Sequence, residues 1–220
     1  LPVVIIAPPT LSSSATPADV CSEQPFSYTP TSTVSGATFA WTRAFIANIS
    51  NPASFGVGAI NETLVNTSSS DVSVVYIYTI TTPQGCENTD TVTLVVDPLP
   101  QLTGTLTPAA ICSNEIFTYA PVSSPVGTIS WSRAAVTGIN EGSNSGTGLI
   151  SETLTNTTGA TIQVAYELNL LTSGTSCSNT VTIFVDVESA PSVASTITGP
   201  TAVCAGSTNN VYTVTAIPNA

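Results

Sequence analysis

The chain has no lysine, histidine or methionine, and its only basic residues are Arg43 and Arg133. Against 13 acidic residues this leaves a formal net charge of −11. Each absence closes a class of function. A nucleic-acid binder neutralises phosphates with a basic footprint, and none can be assembled here. An anionic membrane surface would repel the chain for the same reason. No apolar run approaches the roughly 18–20 residues of a membrane span, so no membrane insertion is expected of this segment. Nucleophilic triads need a base, usually histidine. The cysteine spacing fits no zinc motif, and the reading includes no metal, no cofactor and no catalytic residue. The acidity itself reads as solubility and mutual repulsion of neighbouring copies.

What remains is apolar and turn-rich. Hydrophobic residues make up 42% and charged residues 7% of 220 residues. That is enough to build cores and unlike the composition of a disordered chain. Thr, Ser, Val, Asn, Gly and Pro dominate, which favours short strands and turns over helices. Domains of about 100–150 residues make this length two units.

An internal repeat fixes the organisation. Cys21-Ser22 with Phe26 and Tyr28 returns as Cys112-Ser113 with Phe117 and Tyr119. Trp41-Thr42-Arg43-Ala44 returns as Trp131-Ser132-Arg133-Ala134, and Glu62-Thr63-Leu64 as Glu152-Thr153-Leu154. Tyr76 matches Tyr166, Cys86 matches Cys177, and Thr91-Val92-Thr93-Leu94 is aligned with Thr180-Val181-Thr182-Ile183. A third copy begins at Thr198 with Val203-Cys204 and Val211-Tyr212 and runs only as far as a second strand. The expected domains are residues 1–97, 98–187 and a partial third repeat, 188–220. Val3-Val4-Ile5-Ile6, punctuated by prolines, reads as a linker or first strand.

Period-two alternation marks the strands. Phe26, Tyr28 and Pro30 lie on one face, and Phe39, Trp41 and Arg43 on one face of Thr38–Arg43. Ile60, Glu62 and Leu64 form a third set. Val72 to Thr79 is the strongest strand, followed by a Pro83-Gln84-Gly85-Cys86 turn and a last strand from Thr91 to Val96. Six or seven short strands with a tryptophan on the third give an all-β fold: tandem immunoglobulin-like sandwiches of about 90 residues. Trp41, Trp131, Tyr76 and Tyr166 are core candidates. Arg43 and Arg133 follow the tryptophans by two positions, so they point inward and require an acidic or carbonyl partner. Glu62 and Glu152 are the expected partners, with Asp97 and Asp186 as alternatives. The acids at matched positions are Glu62/Glu152, Asp97/Asp186 and, loosely, Glu23/Glu115. They lie on different strands within a repeat, which argues against a glycosidase pair.

These motifs resemble the PKD-like and Ig-like repeats that occur in tandem in giant surface and secreted proteins of Bacteroidota. The resemblance rests on Ile111-Cys112-Ser113 with Phe117 and Tyr119, on Trp-x-Arg-Ala, on Glu-Thr-Leu-x-Asn (Glu62 to Asn66, Glu152 to Asn156), on Gly85-Cys86 and on Val96-Asp97-Pro98-Leu99-Pro100. Residues 199–206 look like a sister class. Such repeats are similar to those of the gliding-motility adhesin of flavobacteria, which is exported by type IX secretion. The resemblance implies a non-enzymatic, adhesive or structural segment of an extracellular surface filament. Its partners would be neighbouring repeats of the same chain, and surface polysaccharide or other surface proteins. The alternative is a spacer or carbohydrate-binding module of a secreted hydrolase. Asp90-Thr91-Val92 resembles a Bacteroidota O-glycosylation motif, making Thr91 a candidate. Asn48, Asn61, Asn66 and Asn156 stand in Asn-x-Ser/Thr sequons of the kind that such a composition produces by chance.

An extracellular setting makes Cys21, Cys86, Cys112, Cys177 and Cys204 disulfide candidates. Two connectivities stand open. Cys21–Cys86 and Cys112–Cys177 would close each repeat on itself. In an immunoglobulin-like sandwich, however, those positions lie at opposite ends, about 20 Å apart, whereas bonded Cα atoms lie within about 7 Å. A bond between Cys21 and Cys177 would instead link adjacent repeats, leaving Cys86 and Cys112 for neighbours.

Overall fold

Alternating apolar and polar residues, broken every few positions by Gly, Pro and Asn, form strands here throughout. The computed structural model describes residues 7–190 and 196–214. The first sandwich is made of β1 (Val20–Cys21), β2 (Pro25–Tyr28), β3 (Thr38–Arg43), β4 (Ser54–Val57), β5 (Ile60–Thr63), β6 (Val72–Thr81) and β7 (Glu87–Asp97). One sheet has the order β1-β7-β6-β3-β4, and the other pairs β2 with β5. The second repeat follows with β8 (Gln101–Leu102), β9 (Ile111–Cys112), β10 (Glu115–Tyr119), β11 (Ser123–Ser124), β12 (Gly127–Arg133), β13 (Asn144–Thr147), β14 (Ile150–Leu154), β15 (Ile162–Thr172) and β16 (Ser178–Glu188). Its sheets are β13-β12-β15-β16-β9 and β10-β14, with β8 and β11 as a two-residue ribbon. In both repeats the short first strand runs parallel to the end of the last: Val20 and Cys21 beside Val96 and Asp97, and Ile111 and Cys112 beside Val187 and Glu188.

Contacts group the chain into two compact units. The first runs up to Thr103 and also takes in Val122–Ile129 and Asn169–Thr180. The second comprises Gly104–Pro121, Ser130–Leu168 and the residues from Val181 onward. Each repeat has its own apolar interior. Val74, Tyr76, Tyr78 and Ile80 of β6 are fully buried, as are Val164, Tyr166, Leu168 and Leu170 of β15. Burying one such side chain contributes about 1.5–3 kcal/mol, so the central strand of each repeat anchors its sandwich. Trp41 meets Tyr76 edge-on at 5.7 Å, and Trp131 meets Tyr166 at 5.8 Å. Each indole lies flat on a glycine of the neighbouring edge strand. A Cβ at Gly56 or Gly146 would come within 2.7 Å of the ring.

The register corrects part of the alignment read from sequence. The hairpin of the second repeat is one residue longer than that of the first. Thr82 N bonds Cys86 O, whereas Thr172 N bonds Cys177 O. From there on the true offset is that of Cys86 to Cys177. Asn88 and Asn179 bond the carbonyls of Pro9 and Pro100 in the same way. Val92, Leu94 and Val96 thus correspond to Ile183, Val185 and Val187, all buried. The motif Thr-Val-Thr repeats with period two, so a slip of two residues preserves the pattern while displacing the alignment. The counterpart of Asp97 is therefore Glu188, not Asp186, and that of Asp90 is Val181. Glu23 likewise corresponds to Asn114 rather than Glu115. Both are left-handed at φ 68, and both donate their backbone N–H to a leucine carbonyl, of Leu64 and Leu154. In the partial third copy, Thr198 and Thr213 form an isolated antiparallel bridge. The strand or linker expected at Val3 to Ile6, and Pro191 of the second linker, lie outside the described residues.

Candidate functional site

The polar interior is the same constellation built twice. Position 43 on β3 faces inward because Trp41 does, and β5 carries Glu62 between two buried apolar residues, Ile60 and Leu64. Arg43 Nε donates to Glu62 Oε2 at 2.9 Å and Nη2 to Oε1 at 3.1 Å, a bidentate fork. Nη2 also donates to the Pro52 carbonyl at 2.8 Å, and the Tyr76 hydroxyl donates to Glu62 Oε2 at 2.6 Å. In the second repeat Arg133 donates to both oxygens of Glu152 at 3.1 Å and to the Gly142 carbonyl at 2.7 Å. There Asn144 adds a donor to Glu152 at 2.7 Å. Both arginines are 2% exposed. Burial works to raise Glu62 and Glu152, but the hydrogen bonds and charge of the guanidinium outweigh it and hold both below the usual range. Burial, with the adjacent carboxylate, pushes Tyr76 and Tyr166 well above the ordinary phenol. A carboxylate held ionised by a buried arginine is a poor proton donor or acceptor near neutrality. This arrangement braces the two sheets and stays ionised near neutrality.

A second buried polar device was not singled out from sequence. Asn66 Nδ2 donates to the carbonyls of Ser70 and Val96, both at 2.8 Å, and its Oδ1 accepts from the Ser68 N–H and hydroxyl. Its own N–H donates to Ser22 Oγ at 2.9 Å. Asn156 repeats this with Ala160, Val187, Thr158 and Ser113. The Asn of Glu-Thr-Leu-x-Asn and the Ser after the first cysteine therefore belong to one clasp over the end of the last strand. The signal was the presence of both residues in both copies. Their role stayed hidden because the partners are mostly backbone carbonyls. Nδ2 of Asn66 and Asn156 is committed inside the protein, so these sequons are structural. Thr91 is exposed on β7 opposite Ile77, and the neighbouring Asp90 accepts from the Leu11 N–H at 2.7 Å.

The cysteines separate into bonded and thiol states. Cys21 and Cys177 form a disulfide with Cα atoms 5.5 Å apart, both within the first compact unit. Neither within-repeat pairing is formed. Cys86, Cys112 and Cys204 are thiols. The bonded Cys177 sits on the turn between β15 and β16 and is 1% exposed. Asp97, beside Cys21 on the paired strand, is buried, and its Oδ2 lies 3.8 Å from the Cys177 sulfur. A disulfide sulfur carries no proton, so this is a contact and not a hydrogen bond. Burial, then Asp71 and Asp19, pushes the Asp97 carboxyl up to about 6. Among the described residues, no group of three or more His, Cys, Asp or Glu is placed to hold a metal. Nor is any helix among them long and apolar enough to cross a membrane. Phe55, on the edge strand β4, is 84% exposed.

No curated protein matches the sequence. Solved structures resemble the chain at low identity. An Ig1–Ig2 pair of DIP-gamma is 12% identical, with 83% of this chain and 98% of that chain covered and a TM-score of 0.38. A titin I-band fragment is 11% identical, with 85% and 68% covered and a TM-score of 0.39. The insect immune protein hemolin is 10% identical, with 83% and 47% covered and a TM-score of 0.40. The family described as PKD-like domain matches residues 18–100. That span contains β1 to β7 whole, so the first sandwich is similar to PKD-like domains.

Proposed function

We propose that this chain is a non-enzymatic structural and adhesive repeat segment of a long secreted protein at the cell surface, of the adhesin or filament kind. The observation that carries the reading is the duplicated interior. Both arginines and the matched Glu62 and Glu152 are spent on bracing in their respective repeats. PKD-like domains are typically non-catalytic modules, and each buried arginine here is paired with a carboxylate. The Cys21–Cys177 bond fits an oxidising compartment outside the cytoplasm. Neighbouring repeats of the same chain are the immediate partners, with surface polysaccharide or other surface proteins beyond them. Export by type IX secretion and a part in gliding follow from the family resemblance of the motifs.

The test is surface accessibility of the full-length protein. Brief protease treatment of intact cells, followed by mass spectrometry, should release peptides of these repeats while cytoplasmic markers stay intact. Recovery of the repeats only after lysis would overturn the reading. An adjoining catalytic domain in the same full-length chain would turn the segment into a spacer of a secreted hydrolase.

A further inference from the structure

The two thiols Cys86 and Cys112 occupy the positions that are bonded elsewhere in the same chain. Cys112 ends β9 beside Glu188, as Cys21 ends β1 beside Asp97. Cys86 closes its turn by offering its carbonyl to the Thr82 N–H, as Cys177 does to Thr172. The strand and hairpin positions therefore correspond, and each site differs from its bonded counterpart in cover. Cys177 is buried, whereas Cys86 is partly exposed; Cys112 is exposed, whereas Cys21 is partly covered. Asp97 is buried beside the disulfide, whereas its counterpart Glu188 is exposed.

We propose that Cys21–Cys177 is one rung of a periodic ladder in which the first-strand cysteine of each repeat bonds the hairpin cysteine of the next. The proposal rests on the tandem-repeat reading above. Cys112 then takes the hairpin cysteine of the repeat that begins near Thr198, and Cys86 takes the first-strand cysteine of a repeat on its N-terminal side. Cys204, which stands where Cys21 and Cys112 stand, starts the following rung. The partner in each case is another repeat of this kind. Formation is a thiol–disulfide exchange. Two protein thiols lose two protons and two electrons to a small-molecule or protein disulfide, which leaves as two thiols, and one S–S bond forms between repeats. The register supports this over pairing inside a repeat, since the first-strand and hairpin positions bond across repeats in the one place where both cysteines are described.

The experiment is non-reducing peptide mapping of the full-length protein, isolated in the presence of an alkylating agent. Expected are a Cys21–Cys177 pair, a Cys86 peptide joined to a first-strand peptide of another repeat, and a Cys112 peptide joined to a hairpin peptide. Cys112→Ser in the full chain should expose one new alkylatable thiol, in the hairpin of the repeat that follows. Recovery of Cys86 or Cys112 alkylated, or of the two bonded to each other, alongside an intact Cys21–Cys177 pair overturns the ladder and leaves the surface reading standing. Loss of the Cys21–Cys177 pair as well would overturn the ladder at its founding bond. The protease test on intact cells addresses the functional reading separately.

Discussion

The first and second repeats share their internal bracing and differ at their ends. Arg–Glu, the Asn clasp and the Trp-on-Gly contact recur residue for residue. At the end marked by the first-strand cysteine, repeat 1 has a buried aspartate and a disulfide, and repeat 2 has an exposed glutamate and a thiol. The comparison teaches that what a sandwich needs to fold is encoded inside each repeat. Among the described residues, the disulfide and the displaced Asp97 carboxyl are found together at this end of repeat 1.

The most severe way to break this equivalence is to remove an arginine. Arg43→Ala or Arg133→Ala strands a mostly buried carboxylate, and each should cost about 3–5 kcal/mol. Chemical denaturation of the full chain should show the two losses agreeing within about 1 kcal/mol, despite the extra Asn144 donor in repeat 2. Pairing Arg43→Ala with Glu62→Gln should recover part of the loss. A melting curve unchanged by either arginine variant would mean that the fork is not formed in solution.

Next in size is the asparagine clasp. Asn66→Ala or Asn156→Ala leaves the buried Val96 or Val187 carbonyl without its donor, at about 1–3 kcal/mol each. Hydrogen exchange should report the loss locally, around Ser68 to Ser70 and Thr158 to Ala160. Equal protection in parent and variant would show the carbonyls to be satisfied some other way. Smaller again is Gly56→Ala or Gly146→Ala. The added methyl meets the indole, so each should cost about 2 kcal/mol through overpacking and shift tryptophan fluorescence. An unshifted emission spectrum would show that the ring does not lie on the glycine.

The last comparison concerns the ends themselves. The carboxyl of Asp97 is raised above its unfolded value, so its ionised form costs stability. The cost is absent below about pH 4, grows between about 4 and 6, and is full at neutrality. Asp97→Asn should stabilise repeat 1 by about 1–2 kcal/mol at pH 7 and lose that advantage at pH 4. Glu188→Gln should change little at either pH, within about 0.5 kcal/mol, because an exposed side chain is solvated in both states. Below about pH 4 both repeats should weaken as Glu62 and Glu152, held low by their arginines, finally protonate. If Glu188→Gln stabilised as much as Asp97→Asn, the effect would belong to the strand end rather than to its cover.

Much of this was legible in the residues. Trp41, Tyr76 and Leu64 announced their faces by alternation, and the solitary inward Arg43 called for an acidic or carbonyl partner, with Glu62 the first choice; it has both. Cys21–Cys177 was one of two connectivities left open, the one favoured by the separated ends of an immunoglobulin-like sandwich. The last strand was misaligned because Thr-Val-Thr repeats on the same two-residue period as the pleat, so side-chain alternation cannot detect a slip of two. Asn66 went unassigned because its partners are carbonyls, which every residue possesses. The setting of Asp97 lay beyond reach for a different reason, since one of its contacts is the sulfur of Cys177, a residue 80 positions away.

The parallel pairing of first and last strands has a mechanical meaning. β1 and β7 run side by side in the same direction, as do β9 and β16. Tension along the chain drags the start of β1 and the end of β7 in opposite directions along their common axis. The Val20–Val96 and Cys21–Asp97 ladder is then loaded in shear, with its hydrogen bonds strained together, rather than peeled open one rung at a time as a hairpin would be. A repeat held shut in this way yields abruptly, at a force set by the whole patch, and it does so in whichever copy along the string carries the weakest patch.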